Sequence, residues 1–144
     1  MTPHQVQLIQ SSFESIAPGS DSVGALFYNR LFALDPSLRG MFPANMDEQI
    51  RKLMLMLTVA VRSLDRVDQL VPVLEDLGRR HAGYGVKEAH YATVGAALLG
   101  TLEQGLGNAF TAELREAWTV LFAVVAQTMQ RGAATPAPSR AVGV

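Results

Sequence analysis

The chain contains no cysteine in its 144 residues. That rules out disulfides, thiolate metal ligands, iron–sulfur ligation and cysteine nucleophiles. Charge is also scarce: Asp, Glu, Lys and Arg make up 17% of the residues, below the usual quarter or so. Net charge is −1, so no basic field marks a nucleic-acid partner or an anionic membrane. Long apolar runs are missing too. The longest strongly apolar stretch, 53–61, is far shorter than a membrane span. The N-terminus MTPHQVQL lacks the basic and apolar regions of a secretory signal. The expectation is a cytoplasmic protein with neither nucleic acid nor membrane as partner. No run alternates in the manner of a β-strand, and there is no internal repeat.

What is present reads as helix nearly throughout. A 49% hydrophobic content suits one domain with a sizeable core, and an apolar excess with few charges suits a small fold that also lines an apolar cavity. Thr2, Pro3 and Gln5 predict a capped first helix, with a capping box and proline at the first helical position. Val6, Ile9, Phe13 and Ile16 follow at helical spacing until Pro18 and Gly19. A second helix, capped by Ser20 or Asp21, turns Val23, Leu26, Phe27, Leu31 and Leu34 inward. It stops at Pro36, which opens a short helix through Phe42. After a corner at 43–45, a third helix carries Asp47 and Glu48 at its positive end and a stripe of Ile50, Leu53, Met54, Leu57 and Val61. Asp68 is read as the cap of the fourth helix, with Pro72 in its first turn. Leu70, Val73, Leu74 and Leu77 form one face of that helix, which ends around 81–85. The fifth helix spans 87–107, and the sixth runs from its cap Thr111 to about Arg131. Residues 132–144, rich in Gly, Pro and Ala, read as a flexible tail, leaving 1–131 as a single all-α domain.

Only three histidines are available for chemistry. His4 falls in the first turn of an exposed helix, and His90 neighbours Tyr91. His81 follows Leu74 and Leu77 by seven and four residues, which puts it on their face. Beside Arg79 and Arg80 it can be the surface end of a helix. It can also be a neutral imidazole presented by an apolar face, the form that ligates haem iron. Gln49 lies one helical turn before Leu53, either as an ordinary polar residue at a helix start or at the edge of a pocket. Tyr28, beside Phe27 and four residues before Phe32, can be a buried tyrosine bonded to a backbone carbonyl. Met41 and Phe42 can be plain core. Taken singly, each residue leaves both readings open.

Over residues 3–131 the chain resembles the globin family, and within it single-domain bacterial globins and the neuroglobin-like branch. The segments that carry the resemblance are LFYNRLFALDPSL (26–38), MF (41–42), QIRKLMLML (49–57), LGRRHAGYGV (77–86), HYATVGAALL (90–99) and AFTAELREAW (109–118). The resemblance implies a three-over-three helical sandwich around haem b, with His81 as the iron ligand. It places Tyr28 and Gln49 at the distal positions that face a bound gas, with Leu53 pressing on it from the same helix as Gln49. Phe27, Phe32, Phe42, Leu57, Leu77, Val86, Tyr91 and Val94 would touch the macrocycle. Lys52 and Arg80 would reach its propionates, or else be solvated charges.

Two departures qualify the match. Animal neuroglobins carry a histidine where this chain has Gln49, and an amide is a poor iron ligand. Flavohaemoglobins support the proximal histidine with a tyrosine, which Tyr91 fits, and a glutamate, whose place fifteen residues after Trp118 holds Ala133. Without that carboxylate, the imidazole has less imidazolate character. The function implied is tight, reversible O2 binding for transport or storage. The enzymatic alternative is nitric oxide dioxygenation, which needs a separate reductase. A gas sensor and a haem-free interaction module are the other readings. O2, NO and CO are the expected small ligands, and the chain is expected to be a monomer or weak homodimer.

Overall fold

A computed structural model describes residues 1–134, and among these no strand occurs. The α-helices are α1 (Pro3–Ile16), α2 (Ser20–Leu34), α3 (Asp47–Arg62), α4 (Val67–Gly83), α5 (Glu88–Leu106) and α6 (Ala112–Ala134). Short 3-10 turns at Ala17–Gly19, Pro36–Met41 and Gly107–Ala109 join them. None of these helices is long and apolar enough to cross a membrane.

The helix ends follow from local chemistry in most cases. Thr2 and Gln5 form the expected reciprocal cap: Thr2 Oγ1 accepts from the Gln5 amide at 3.1 Å, and Gln5 Oε1 accepts from the Thr2 amide at 2.9 Å. Thr111 caps α6 by accepting from the Leu114 amide at 3.2 Å. His90 Nδ1 accepts from the Lys87 amide at 2.9 Å at the start of α5. Gly107 turns the chain out of α5 with φ +57°, a conformation that costs glycine nothing.

Several expectations need correction. Neither Ser20 nor Asp21 caps α2. The Ser20 amide is already bonded to Ala17 O in the preceding 3-10 turn, so both residues lie inside the helix. Asp68 is not the cap of α4 but sits in its first turn, and Pro72 lies deeper within the helix. There Pro72 is exposed, and the helix forgoes the bond to the Asp68 carbonyl. Leu34 and Val73 do not face inward, being 53% and 40% exposed. Leu34 ends α2 where the chain turns away, and α4 buries the Leu70, Leu74, Gly78 line instead. Helix α6 continues through Ala134, so 132–134 are helix rather than tail. The rest of the expected tail, 135–144, lies outside the described residues.

The core has three parts. The largest gathers Ile9, Phe13 and Ile16 of α1, Met54 and Val61 of α3, Leu102 of α5, and Leu114, Ala117, Trp118 and Leu121 of α6. Trp118 donates its indole N–H to Ser12 Oγ at 3.0 Å, which satisfies both buried polar groups. Trp118, Phe13, Ile9, Leu102 and Val61 are almost wholly enclosed, and burial of each such side chain contributes about 1.5–3 kcal/mol. A second cluster joins Phe27, Tyr28, Leu31, Leu38 and Ala97. A third joins Ala60, Leu70, Leu74 and Met129. Helix α4 packs chiefly on α6, whereas α2 packs on α5 and α3. The second and third clusters form separate walls, one carried by α2 and α5 with Ile50 and Leu53 of α3 packed against it, the other by α4 and α6 with Ala60 of α3.

Candidate functional site

The wall carried by α2 and α5 is aromatic on its α2 side. Tyr28 is 5% exposed and sits among three other rings. Phe27 meets it edge-on at 5.1 Å between centroids, Phe32 is stacked at 6.0 Å, and Phe42 is edge-on at 5.5 Å. Helix α3 brings Gln49 to this group, and its Nε2 donates to the phenol oxygen at 3.1 Å. Burial pushes the Tyr28 pKa above its ordinary 10.0, and the Gln49 bond pulls it partly back. The phenol is therefore protonated at neutral pH. Because its oxygen accepts from Gln49, its own hydrogen is directed elsewhere.

Gln49 also lines a surface depression of about 380 Å³ with Pro43, Asn45, Asp47, Glu48, Arg51 and Lys52. It therefore stands between solvent and Tyr28. Leu53 and Ile50, on the same helix, are half-buried against the aromatic group, and Leu57 is half-buried against the main core.

On the other wall, α4 carries His81 near its C-terminal end. The ring's Nδ1 lies 2.8 Å from Leu77 O, one turn back. A carbonyl can only accept, so Nδ1 carries the proton and Nε2 keeps a free lone pair. Burial is the main reason the His81 pKa falls below 6.5. The Leu77 carbonyl works against that fall, and the Arg80 charge adds to it. The imidazole is thus neutral, as a metal ligand must be. The amides of Tyr84 and Val86 close the helix end on the His81 carbonyl at 3.0 and 3.1 Å, with Gly85 at φ +91° making the turn between them. Tyr91 packs on the third cluster with Leu77, and its pKa is raised by burial. Val94 joins the aromatic group from α5.

Lys52 pairs with Glu48 at 3.6 Å and Arg80 with Asp76 at 3.2 Å, each on its own helix and largely exposed. Such pairs hold a cation only weakly. Among the described residues no carboxylate bonds His81. Ala133 is an exposed residue in the last turn of α6.

The sequence reading missed one residue, Arg39. Its guanidinium donates to three successive carbonyls of the corner, Phe42 O at 3.3 Å, Pro43 O at 3.0 Å and Ala44 O at 3.1 Å. The same group lies 5.3 Å from the centre of the Phe32 ring. Its signal was faint: an arginine three residues ahead of a Phe-Pro corner whose carbonyls have no helical donors.

The donor set fits an iron porphyrin better than a bare ion. Among the described residues no group of three or more metal-binding side chains occurs. One neutral imidazole suffices when a macrocycle supplies the other ligands. Phe32, Phe42, Leu77, Val86, Tyr91 and Val94 are all only half-buried, mostly apolar side chains that the protein alone leaves incompletely covered.

Comparison with known proteins bears on the family and the fold. Residues 25–129 match the globin family. The neuroglobin of Tetraodon nigroviridis is 36% identical over 140 residues, covering 88% of each chain. A bacterial globin structure from Campylobacter jejuni superposes with a TM-score of 0.82 at 23% identity, over 92% of this chain and 96% of that one. An engineered carbene transferase from Rhodothermus marinus, whose parent is a candidate nitric oxide dioxygenase, gives a TM-score of 0.83 at 26% identity, over 93% and 94%.

Proposed function

The chain belongs to the globin family, and on that premise we propose that it holds haem b through His81 and binds O2 tightly and reversibly. The observation that carries this reading is the Gln49–Tyr28 bond at 3.1 Å, which leaves the phenol hydrogen free to meet a ligand. Haem, when bound, supplies a ferrous iron that takes up O2 and shifts electron density onto it.

The chain's own residues act on both sides. Leu77 O fixes the tautomer and orientation of His81, so the Nε2 lone pair is available without rearrangement. Gln49 holds the Tyr28 hydroxyl in one rotor position. The rings of Phe27, Phe32 and Phe42 exclude water from it, so its hydrogen bond forms in a low dielectric. Donation to a negatively charged acceptor is worth about 1.5–3 kcal/mol, which slows release roughly tenfold to a hundredfold. CO accumulates less charge and gains less. Lys52 and Arg80, each in an exposed pair on its own helix, are the cations we assign to the haem propionates.

A second reading is nitric oxide dioxygenation, NO + O2 + e⁻ → NO3⁻, with the electron from a separate reductase. The same two donors and the likeness to the Rhodothermus protein favour it. One experiment tests both readings. Protein from haem-supplied cells is reduced, exposed to O2 and mixed with nitric oxide, while its spectrum and nitrate are followed. A Soret band and a stable O2 form are expected. Their absence overturns the haem reading. Prompt nitrate formation with re-reduction by cell extract assigns the enzyme, whereas oxidation without re-reduction leaves the carrier.

A further inference from the structure

Helices α4 and α6 meet at a reciprocal pair of backbone contacts. A Cβ added at Gly78 would fall on the carbonyl of Met129, and one added at Gly132 would fall on the carbonyl of Glu75. Each glycine thus covers the carbonyl three residues before the other. Helices separated by side chains run about 8–10 Å apart. Here the glycine Cα–H groups lie directly against peptide oxygens, the geometry of weak C–H···O bonds. Arg131 Nε reaches Glu75 Oε2 at 3.3 Å across the same crossing.

We propose that this crossing positions the proximal histidine. The proposal rests on the haem reading above. His81 lies three residues after Gly78, and its ring is held by Leu77 O, a backbone atom, at 2.8 Å. The line from α6 backbone to α4 backbone to imidazole therefore contains no flexible side chain until the ring itself. The clashing atoms are backbone carbonyls and cannot rotate away. A methyl group at position 78 must therefore move α4 bodily, and His81 with it.

The test compares Gly78→Ala and Gly132→Ala with Ile9→Ala. Ile9 is fully buried in the core of α1, away from α4, so its truncation lowers stability without touching the crossing. The readouts are the iron–histidine stretching band of the ferrous protein by resonance Raman and the rate of haem transfer to an acceptor apoprotein. Gly78→Ala is expected to shift the band by several wavenumbers and to speed haem loss about tenfold, or about 1.4 kcal/mol. Gly132→Ala, in the last turn of α6, gives a smaller shift in the same direction and decides the matter if Gly78→Ala does not fold. Ile9→Ala lowers the melting temperature with the band unmoved. An unmoved band in both glycine variants overturns the proposal, as does an equal shift in Ile9→Ala. A wild-type protein with no Soret band would instead overturn the haem reading itself.

Discussion

Removing one oxygen from Tyr28 separates the chemistry of the pocket from its packing. Tyr28→Phe keeps the ring among Phe27, Phe32 and Phe42, so the fold should lose only the bond to Gln49, about 1 kcal/mol. The ligand loses a donor worth about 1.5–3 kcal/mol, which alone would raise the O2 off-rate about tenfold to a hundredfold. Gln49 then has an amide without its former acceptor and can swing toward the ligand, which returns part of the loss. The expected increase for Tyr28→Phe is therefore near the lower end, about tenfold. Gln49→Leu leaves the phenol in place but frees its rotor. Loss of a neutral bond of about 1 kcal/mol predicts about a fivefold increase. If the amide substitutes for the phenol, the double variant loses more than the two single changes combined, a coupling of about 0.5 kcal/mol or more. Stopped-flow displacement of O2 by CO measures all three rates. A Tyr28→Phe off-rate within about twofold of wild type, or ~0.4 kcal/mol, would refute the donor role. So would a CO off-rate that changes as much as that of O2.

Two further outcomes follow from other parts of the site. Arg39→Ala removes the shared donor of three corner carbonyls and should cost about 1.5–3 kcal/mol by urea denaturation, because water replaces only part of a charged bond. It should also speed O2 release by loosening Phe32 and Phe42, while the iron–histidine band stays put. Arg39→Lys should not restore either property, since an ammonium cannot span the three oxygens; full rescue would show that charge alone suffices. The second outcome concerns pH in the haem-free protein. The His81 pKa is depressed below 6.5 in the fold, so the unfolded chain takes up the proton first. Stability must then rise with pH from the folded value up to about 6.5 and level off above it. Tyr28 and Tyr91 are raised above 10.0, so the unfolded chain ionises first there, and stability must fall as pH climbs past 10. Denaturation of the apoprotein and of His81→Gln across about pH 5–7 checks the acid limb. A slope that persists unchanged in the variant would assign it to another group.

The parts of this fold that were legible in sequence are those decided locally. The capping pair Thr2 and Gln5 and the cap Thr111 each act within three residues, so spacing alone reveals them. Ser20, Asp21 and Asp68 look like equally good caps. Their failure depends on what precedes them: a turn that had already satisfied the Ser20 amide, and a fourth helix that begins at Val67, two residues early. Periodicity placed Leu74 and Val61 correctly but could not show where a neighbouring helix ends, and so Leu34 and Val73 were given to the core. The site divides in the same way. Residue types made Tyr28, Gln49 and His81 candidates with two readings each, and the resemblance to globins chose between those readings; the Gln49–Tyr28 bond itself appears only in the fold. Arg39 was invisible because its partners are carbonyls, which every residue carries. The glycine crossing was invisible because its signal is the absence of a side chain opposite a helix 54 positions away in sequence, between Gly78 and Gly132.

With His81 as the proposed iron ligand, the partner of its ring bears on which function the pocket would favour. A carboxylate on Nδ1 would draw the proton toward itself and make the imidazole a stronger electron donor, which assists cleavage of an O–O bond. Leu77 O is neutral and cannot take the proton, so His81 stays an imidazole. The helix end explains why no acid residue stands in. Ala133, where the resemblance to flavohaemoglobins would put a glutamate, is exposed beside the tight Gly132 contact, so an acidic side chain there would project into solvent. Nor does the distal wall supply a proton readily, because burial keeps the Tyr28 phenol above its ordinary pKa. With haem held as proposed, both walls would stabilise charge on a ligand without driving its bond apart. Under the proposed function, that combination would retain O2, let it react with a second small molecule such as nitric oxide, and work against peroxidase chemistry.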